Sequence, residues 1–458
     1  MKIILIVLLV CLCSIEAITQ TQFTYFNKVF GGDTSNMLAQ VVQPVSGGYL
    51  VIGSYGTQNI EHSIFVMNID EQGNELTFKN LAVGTEWGVV EDGSFVKPTS
   101  DGNFVCTLAE ISYNPTLKLI PHLFKFNSSG DTIWHQSYPN EYSQFTRSII
   151  QTYDNGFAMV GYRYVQDTAR FVLIKTDAYG NYEWSKTYML EHDSRAFSIQ
   201  QTPWDGGYIL GGWGYSTTNG YDMFVVKTLA NGDTLWTKHY GNELNDCAAK
   251  VVNLTTYEEW LSGEEPNYLT TGCIKEGIVK KLYLSVIDEN GVIIWEKKHN
   301  FLPEISSFQV LPLIKSNKSF IGSGYYLPDN ITPRPFIASF HHNGNLDWVV
   351  TPTLNPTKHV YIKDLQPTPD GGYVLAGYQY NDPQTAWVLK IDSLGNTCSY
   401  VGCDSTVVVE VLPGITSNSS PEISAMVYPV PASTYLNIRC KYHPASFLRA
   451  MPDGICTT

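Results

Sequence analysis

Aromatic side chains recur in short groups along the chain: Tyr55, then Tyr162 and Tyr164, then Trp213, Tyr215 and Tyr221, then Tyr325 and Tyr326, then Tyr378 and Tyr380. Ring faces set beside polar loop residues suit stacking on a sugar or burial in a protein interface. The plainer reading is that such tyrosines close strand ends with their hydroxyls in water. Asp33, Asp193 and Asp246 stand at corresponding points and could line the same surface. Beyond these, the templates of catalysis fail. HExxH, GxSxG, the P-loop and the EF-hand loop are absent from the sequence. Carboxylate pairs that hydrolyse glycosidic bonds are defined by their separation, which a sequence does not give. His341-His342 adjoins Asn343-Gly344 and reads as a solvated turn pair rather than a metal site. No catalytic residue, metal or cofactor is predicted.

The start of the chain gives these residues an address. Lys2 precedes the apolar run Ile3 to Cys13, followed by Ser14-Ile15-Glu16-Ala17. Residues 1–17 therefore read as a secretory signal peptide, with an apolar run too short to span a bilayer. No later run is long and apolar enough to be a transmembrane segment. Export makes disulfides chemically reasonable. Cys247 and Cys273 would face each other across a hairpin turning near residue 260, and Cys398 and Cys403 could close a small loop. Cys106 has no evident partner. There are 29 Lys+Arg against 43 Asp+Glu, a net charge of −14. That balance argues against nucleic acid and against an anionic membrane as the main partner, since both require a basic footprint.

The elements that must position the aromatics come from a repeat. Trp204-Asp205-Gly206-Gly207-Tyr208-Ile209-Leu210-Gly211 leads to Phe224-Val225-Val226-Lys227 and then to Asn231-Gly232-Asp233-Thr234-Leu235-Trp236. Asp370-Gly371-Gly372-Tyr373 opens the same series again, and Asp154-Asn155-Gly156-Phe157 and Asp101-Gly102-Asn103-Phe104 open variants of it. The glycine of the second turn falls at Gly73, Gly130, Gly180, Gly232, Gly291, Gly344 and Gly395, about 54 residues apart. Within each copy, β-branched and aromatic runs alternate with Asp-Gly or Asn-Gly turns, and no segment sustains a helical period. Four short strands in each of seven copies predict an all-β fold, a seven-bladed β-propeller over residues 22–404.

Closure of the ring is also foreseen. Phe23-Thr24-Tyr25-Phe26-Asn27-Lys28-Val29-Phe30 matches the outermost strand of a repeat but stands alone before the first copy, while the seventh copy loses its own at Cys398. The N-terminal strand is expected to complete the last blade and leave no open edge there. Trp134, Trp184, Trp236, Trp295 and Trp348 are expected to bury their rings between neighbouring blades. Asp154, Asp205 and Asp370 are expected to hold turns. The aromatic groups then fall in loops on one face, that of the second-to-third-strand loops and the loops between blades.

The repeat resembles the WD40-like propellers grouped with the quinoprotein dehydrogenases, through Asp177-x-x-Gly180-x-x-x-Trp184 and Asp288-x-x-Gly291-x-x-x-Trp295. The catalytic members use an adjacent cysteine pair and a metal-bound Asp. No Cys-Cys pair occurs here, so the similarity is of scaffold. It is more similar to the propellers of exported Bacteroidota proteins, with their "DGGYxLxG … VVKxDxxG … W … YGG" rhythm.

After Cys403 the composition turns to Ser, Thr and Pro, and 405–424 reads as a linker. In residues 425–458, Tyr428-Pro429-Val430-Pro431-Ala432-Ser433 resembles the opening of the type A sorting domain of the type IX secretion system, carried by Tyr428, Pro429 and Pro431. Val430 replaces the usual Asn, and the domain is shortened, as an internal deletion or a frameshift would leave it. The resemblance implies the type IX secretion machinery as a partner and a secreted or cell-surface location. The leading expectation is a non-enzymatic binding module for a glycan or protein ligand. The alternative is a secreted enzyme, polysaccharide-degrading or quinoprotein-like, using the same face.

Overall fold

The computed structural model describes residues 20–410, except 32–34, 58–61, 82–86, 89–95, 113–117, 139–141, 191, 217–219, 242–249, 278, 303–304, 313–318, 330, 353–358, 381–382 and 398–403. The signal-peptide residues, Asp33, Asp246, Cys247, Cys398, Cys403 and the sorting-motif residues Tyr428, Pro429 and Pro431 lie outside these.

Each repeat folds as one antiparallel sheet because its turn residues accept the backbone conformations that tight reversals need. The glycines at 73, 130, 180, 232, 291, 344 and 395 all have φ between 74° and 82°, where a side chain would be strained. Blade 4 shows the plan: Ser194–Gln201, Tyr208–Ser216, Gly220–Thr228 and Thr234–Tyr240 pair in chain order from the innermost strand outward. Blade 3 repeats it with Gln144–Gln151, Phe157–Val165, Thr168–Thr176 and Tyr182–Tyr188. Blades 1, 5 and 6 begin at Ser35–Val45, Lys250–Asn253 and Ile305–Pro312. In blade 2 the innermost position is divided between Trp87–Gly88 and Val96–Pro98. Innermost strands pack against the neighbouring blade around the ring. The chain thus forms a seven-bladed β-propeller.

Blade 7 is built from both ends of the ring. Its strands His359–Pro367, Tyr373–Tyr380 and Thr385–Ile391 are followed by Gln20–Phe30. Phe26 pairs with Lys390 and Phe30 with Ala386, and the Trp387 indole N–H donates to Asn27 Oδ1 at 2.8 Å with both side chains buried. The expected closure is therefore present.

Two contacts repeat between blades. The tryptophan of one blade covers the turn glycine of the next: a Cβ on Gly180 would meet the Trp134 ring at 2.7 Å, and one on Gly232 would meet Trp184 at 2.6 Å. Phe26 does the same to Gly73 at 2.7 Å, so a phenylalanine serves where blade 7 has no tryptophan strand of its own. Beside the rings of Trp134, Trp184 and Trp236 a hydroxyl reaches over. Tyr138, Tyr188 and Tyr240 donate to the carbonyls of Gly180, Gly232 and Gly291 at 2.7, 2.9 and 2.8 Å. Burial raises the pKa of all three tyrosines.

The innermost strands carry a further regularity. Their pairing shifts by one residue after Ala39, Thr146, Ala196, Ile305 and Ile362, a bulge that increases local twist. The residue after the bulge can bond the next blade. Asp364 Oδ2 accepts from Val42 N at 3.0 Å, and Ser198 Oγ accepts from Val251 N at the same distance.

Among the described residues one helix, Tyr257–Leu261, interrupts blade 5, started by a capping box in which Thr256 and Glu259 bond each other's backbone N–H. Five residues are too few to show a helical period, which is why the sequence pattern gave no sign of it. Cys273, at 1% exposure, is disulfide-bonded. Cys106 is a buried free thiol.

The propeller unit is Tyr25–Asp404; a second unit collects Met1–Thr24 and Ser405–Thr458. The strand Asp404–Glu410 occupies the start of the stretch read as a linker, where the run Val407-Val408-Val409 favours extended backbone. Among the described residues no helix is long and apolar enough to cross a membrane.

Candidate functional site: a tyrosine-lined cleft between blades 3 and 4

The second and third strands of blade 3 are joined by two residues, Gln166 and Asp167, with φ of 50° and 61°. This left-handed turn brings Tyr164, Asp167 and Thr168 to the rim. The connection from blade 3 to blade 4 runs beside it and supplies His192 and Asp193. Tyr215 and Tyr221 come from facing positions of the next hairpin. With Arg195, these residues line an open cleft of about 390 Å³. Tyr215 and Tyr221 are 39% and 40% exposed.

Asp193 fixes the seam. Its Oδ1 accepts from Ala169 N in blade 3 at 3.0 Å, its backbone carbonyl accepts from Tyr215 N at 2.8 Å, and its Oδ2 lies 3.6 Å from Arg195. Ser143 holds the corresponding place one blade earlier, accepting from Leu119 N through its hydroxyl and from Tyr164 N through its carbonyl. The carboxylate at 193 is thus in part a structural fastening.

Beneath the rim lies a row of alternating cations and rings. The Arg195 guanidinium sits 4.8 Å from the Tyr162 ring centre and 5.2 Å from that of Trp213, and Arg147 sits 5.6 Å from Tyr162 and 4.5 Å from Phe197. Such contacts contribute about 0.5–2 kcal/mol each, more when desolvated. Tyr162 is only 7% exposed and burial raises its pKa. Trp213 meets Tyr221 edge to face at 5.1 Å, Tyr215 meets Tyr221 at 5.3 Å, and His192 meets Tyr215 at 5.7 Å.

Of the aromatics singled out in the sequence, Tyr164, Tyr215 and Tyr221 line this cleft, and Tyr162 and Trp213 lie against its Arg195. The others belong elsewhere. Tyr325 and Tyr378 both contact Tyr361, edge to face at 5.2 Å and stacked at 5.1 Å. Lys363 lies 5.6 Å from the Tyr378 ring. Tyr380, 57% exposed, stacks on His359. Tyr326 points to the opposite side of its sheet and packs on Phe336, since successive strand residues face opposite ways. Sequence reading missed His192, Arg195, Tyr361 and Lys363. The available signal was their position on or just before innermost strands, next to the aromatic hairpins.

The repeated turn aspartates have a structural use. Asp154 and Asp205 accept from Gly156 N and Gly207 N, at 2.9 and 2.8 Å, and each also receives a buried lysine of the third strand, Lys175 at 2.8 Å and Lys227 at 2.5 Å. Asp177 and Asp288, which carry the quinoprotein-like spacing, accept two backbone N–H bonds each at the following turn.

A polar row crosses blade 2. His122 Nδ1 lies 2.6 Å from His135 Nε2, and His122 Nε2 lies 2.9 Å from Glu110 Oε2. Burial, with His135 alongside, pushes the His122 pKa down to about 4.

No family and no curated protein matches the chain in sequence. Among solved structures it is similar to Sqt1 from Chaetomium thermophilum, at 10% identity and TM-score 0.41 over 82% of this chain and 100% of that one. It is also similar to the β-propeller domain of the Trilobed protease from Pyrococcus furiosus, at 8% identity and TM-score 0.41 over 77% and 98%. A third is the WD40 domain of SCAP from fission yeast, at 8% identity and TM-score 0.39 over 81% and 98%. The propeller assignment rests on the seven sheets of this chain.

Proposed function

We propose that the protein is an exported, non-enzymatic binding module whose propeller takes its ligand in the cleft between blades 3 and 4. The observation that carries this reading is the convergence of Tyr164, Tyr215 and Tyr221 with His192, Asp193 and Arg195 around one open cleft. Exposed rings of this kind supply contact area at low entropic cost. Asp193 favours binding over catalysis, because one oxygen holds Ala169 N and the other faces Arg195. A general acid or base needs a carboxyl free to exchange its proton with substrate. Delivery is proposed to follow from the signal-like start and the sorting-like motif at Tyr428, Pro429 and Pro431, with the type IX machinery as partner and the cell surface or the medium as destination.

A glycan array and a surface-protein pull-down with the mature chain test the binding role, with Trp213→Ala and Tyr215→Ala as controls. Saturable binding weakened in both variants is expected. Binding that survives both would move the ligand away from this cleft. Replacing Tyr428, Pro429 and Pro431 together in a type IX-competent host should leave the protein in the periplasm, and normal secretion would remove the sorting reading.

A further inference from the structure

We infer that the cleft between blades 3 and 4 selects an organic cation, an ammonium or guanidinium group. This rests on the reading of that cleft as the binding site and names the chemistry it accepts.

Two carboxylates, Asp167 and Asp193, and one guanidinium, Arg195, line the cleft. Arg195 is ion-paired with Asp193 at 3.6 Å and lies against the Tyr162 and Trp213 rings, while its Nε is buried without a hydrogen-bond partner, so its charge is answered by Asp193. Asp193 is engaged in turn by Arg195 and Ala169 N. Asp167 is different. It is exposed at the tip of its turn and has no hydrogen-bond or ion-pair partner among the described residues. What the cleft offers an incoming group is therefore one unanswered negative charge and the rings of Tyr164, Tyr215 and Tyr221. Ring faces carry negative potential and attract cations. Carboxylate and rings thus favour the same sign of ligand, on a protein whose net charge is −14.

A neutral sugar fits less well. Its hydroxyls require several directed donors and acceptors, and here Asp193 Oδ1 is committed to Ala169 N and the Nε of Arg195 is buried out of a ligand's reach. An anionic sugar would meet Asp167, and the Arg195 charge that could offset the repulsion is already ion-paired with Asp193.

The cation has two sources, a free amine or a basic side chain of a protein, and calorimetric titration of the mature chain separates them. The probes are choline, Nα-acetyl-lysine methylamide, a lysine-containing peptide, 3,3-dimethyl-1-butanol as the neutral isostere of choline, and a neutral oligosaccharide. At least one cationic probe is expected to bind about tenfold more tightly than the isostere. Asp167→Asn and Tyr215→Ala, both shown folded by circular dichroism, should each weaken that binding by about tenfold. Choline binding would indicate a small-molecule source, and binding of the peptide alone a protein source. Equal binding of the isostere, or no effect of Asp167→Asn, overturns the inference. Binding of the oligosaccharide without any cation overturns it too, but leaves the binding-module reading standing. Failure of every probe overturns the inference. If the glycan and pull-down screens are also silent, the binding-module reading falls with it.

Discussion

Lys227 brings its ammonium group to 2.5 Å from Asp205 Oδ2 while its side chain is entirely shielded from solvent. The same lysine donates to Thr202 Oγ1 and to the Thr228 carbonyl, so every proton of the ammonium has an acceptor. Removing one partner of such a pair strands the other charge. Asp205→Ala should destabilise the protein by about 3 kcal/mol, and adding Lys227→Met should recover most of that loss, as read by chemical denaturation. Equal stability of the single and double variants would show that the charge is not what matters.

Phe26 and Gly73 form the corresponding joint at the ring closure. Phe26→Ala should cost about 3–5 kcal/mol. Gly73→Ala suffers twice, from the ring 2.7 Å away and from φ of 77°. In a double-mutant cycle, Phe26→Ala should relieve only the steric part of that penalty. Strict additivity would mean that the two residues do not press on each other.

Alkaline pH should expose the hydroxyl contacts between blades. The pKa values of Tyr138, Tyr188 and Tyr240 are raised by burial, so above about pH 10 the unfolded chain releases protons that the folded chain retains. The contribution of these tyrosines should be level below pH 10 and fall above it, by about 1.4 kcal/mol per pH unit for each. Tyr188→Phe should reduce that slope and should lower stability near neutrality by about 1 kcal/mol. A slope unchanged in Tyr188→Phe would assign the effect elsewhere.

His122 gives an acid counterpart. Its folded pKa lies near 4, below the usual value of 6.5, so the unfolded chain takes up a proton first as pH falls. The stability present above pH 6.5 should decline between pH 6.5 and 4. His122→Gln should flatten that decline, measured by denaturation at stepped pH. His135 shares the row and its pKa is also lowered by burial, and an unaltered profile in the variant would place the titration there.

Gln166 and Asp167 both adopt left-handed backbone in a two-residue turn that favours Asn-Gly. Gln166→Asn with Asp167→Gly should raise stability by about 1 kcal/mol, measured by thermal unfolding. The same change removes the unpaired carboxylate from the cleft, so stability and ligand binding should move in opposite directions.

How much of this was legible in the residues depends on whether the information was local. The turn glycines and the strand runs are local signals, and they gave the blade count, the strand order and the role of Phe26 to Phe30. The burial of Lys227 was not legible, because a lysine in a strand reads as solvent-facing until its partner at the preceding turn is placed beside it. The cleft was half legible. Tyr164 and Tyr215 are marked by type and position, whereas Arg195 matters only because the blade boundary sets it against Tyr162, 33 residues earlier in the chain. The divergence of Tyr325 from Tyr326 follows from strand alternation once the register is known, and the register was not.

The bond from Trp387 to Asn27 joins residues 360 positions apart. A chain that emerges in sequence, from a ribosome or through a pore, can assemble six blades one after another from neighbouring segments. The seventh obeys a different clock. Asn27 leaves first and must stay uncommitted until Trp387 has followed, so the ring acts as a clasp that shuts only when transit of the blades is over.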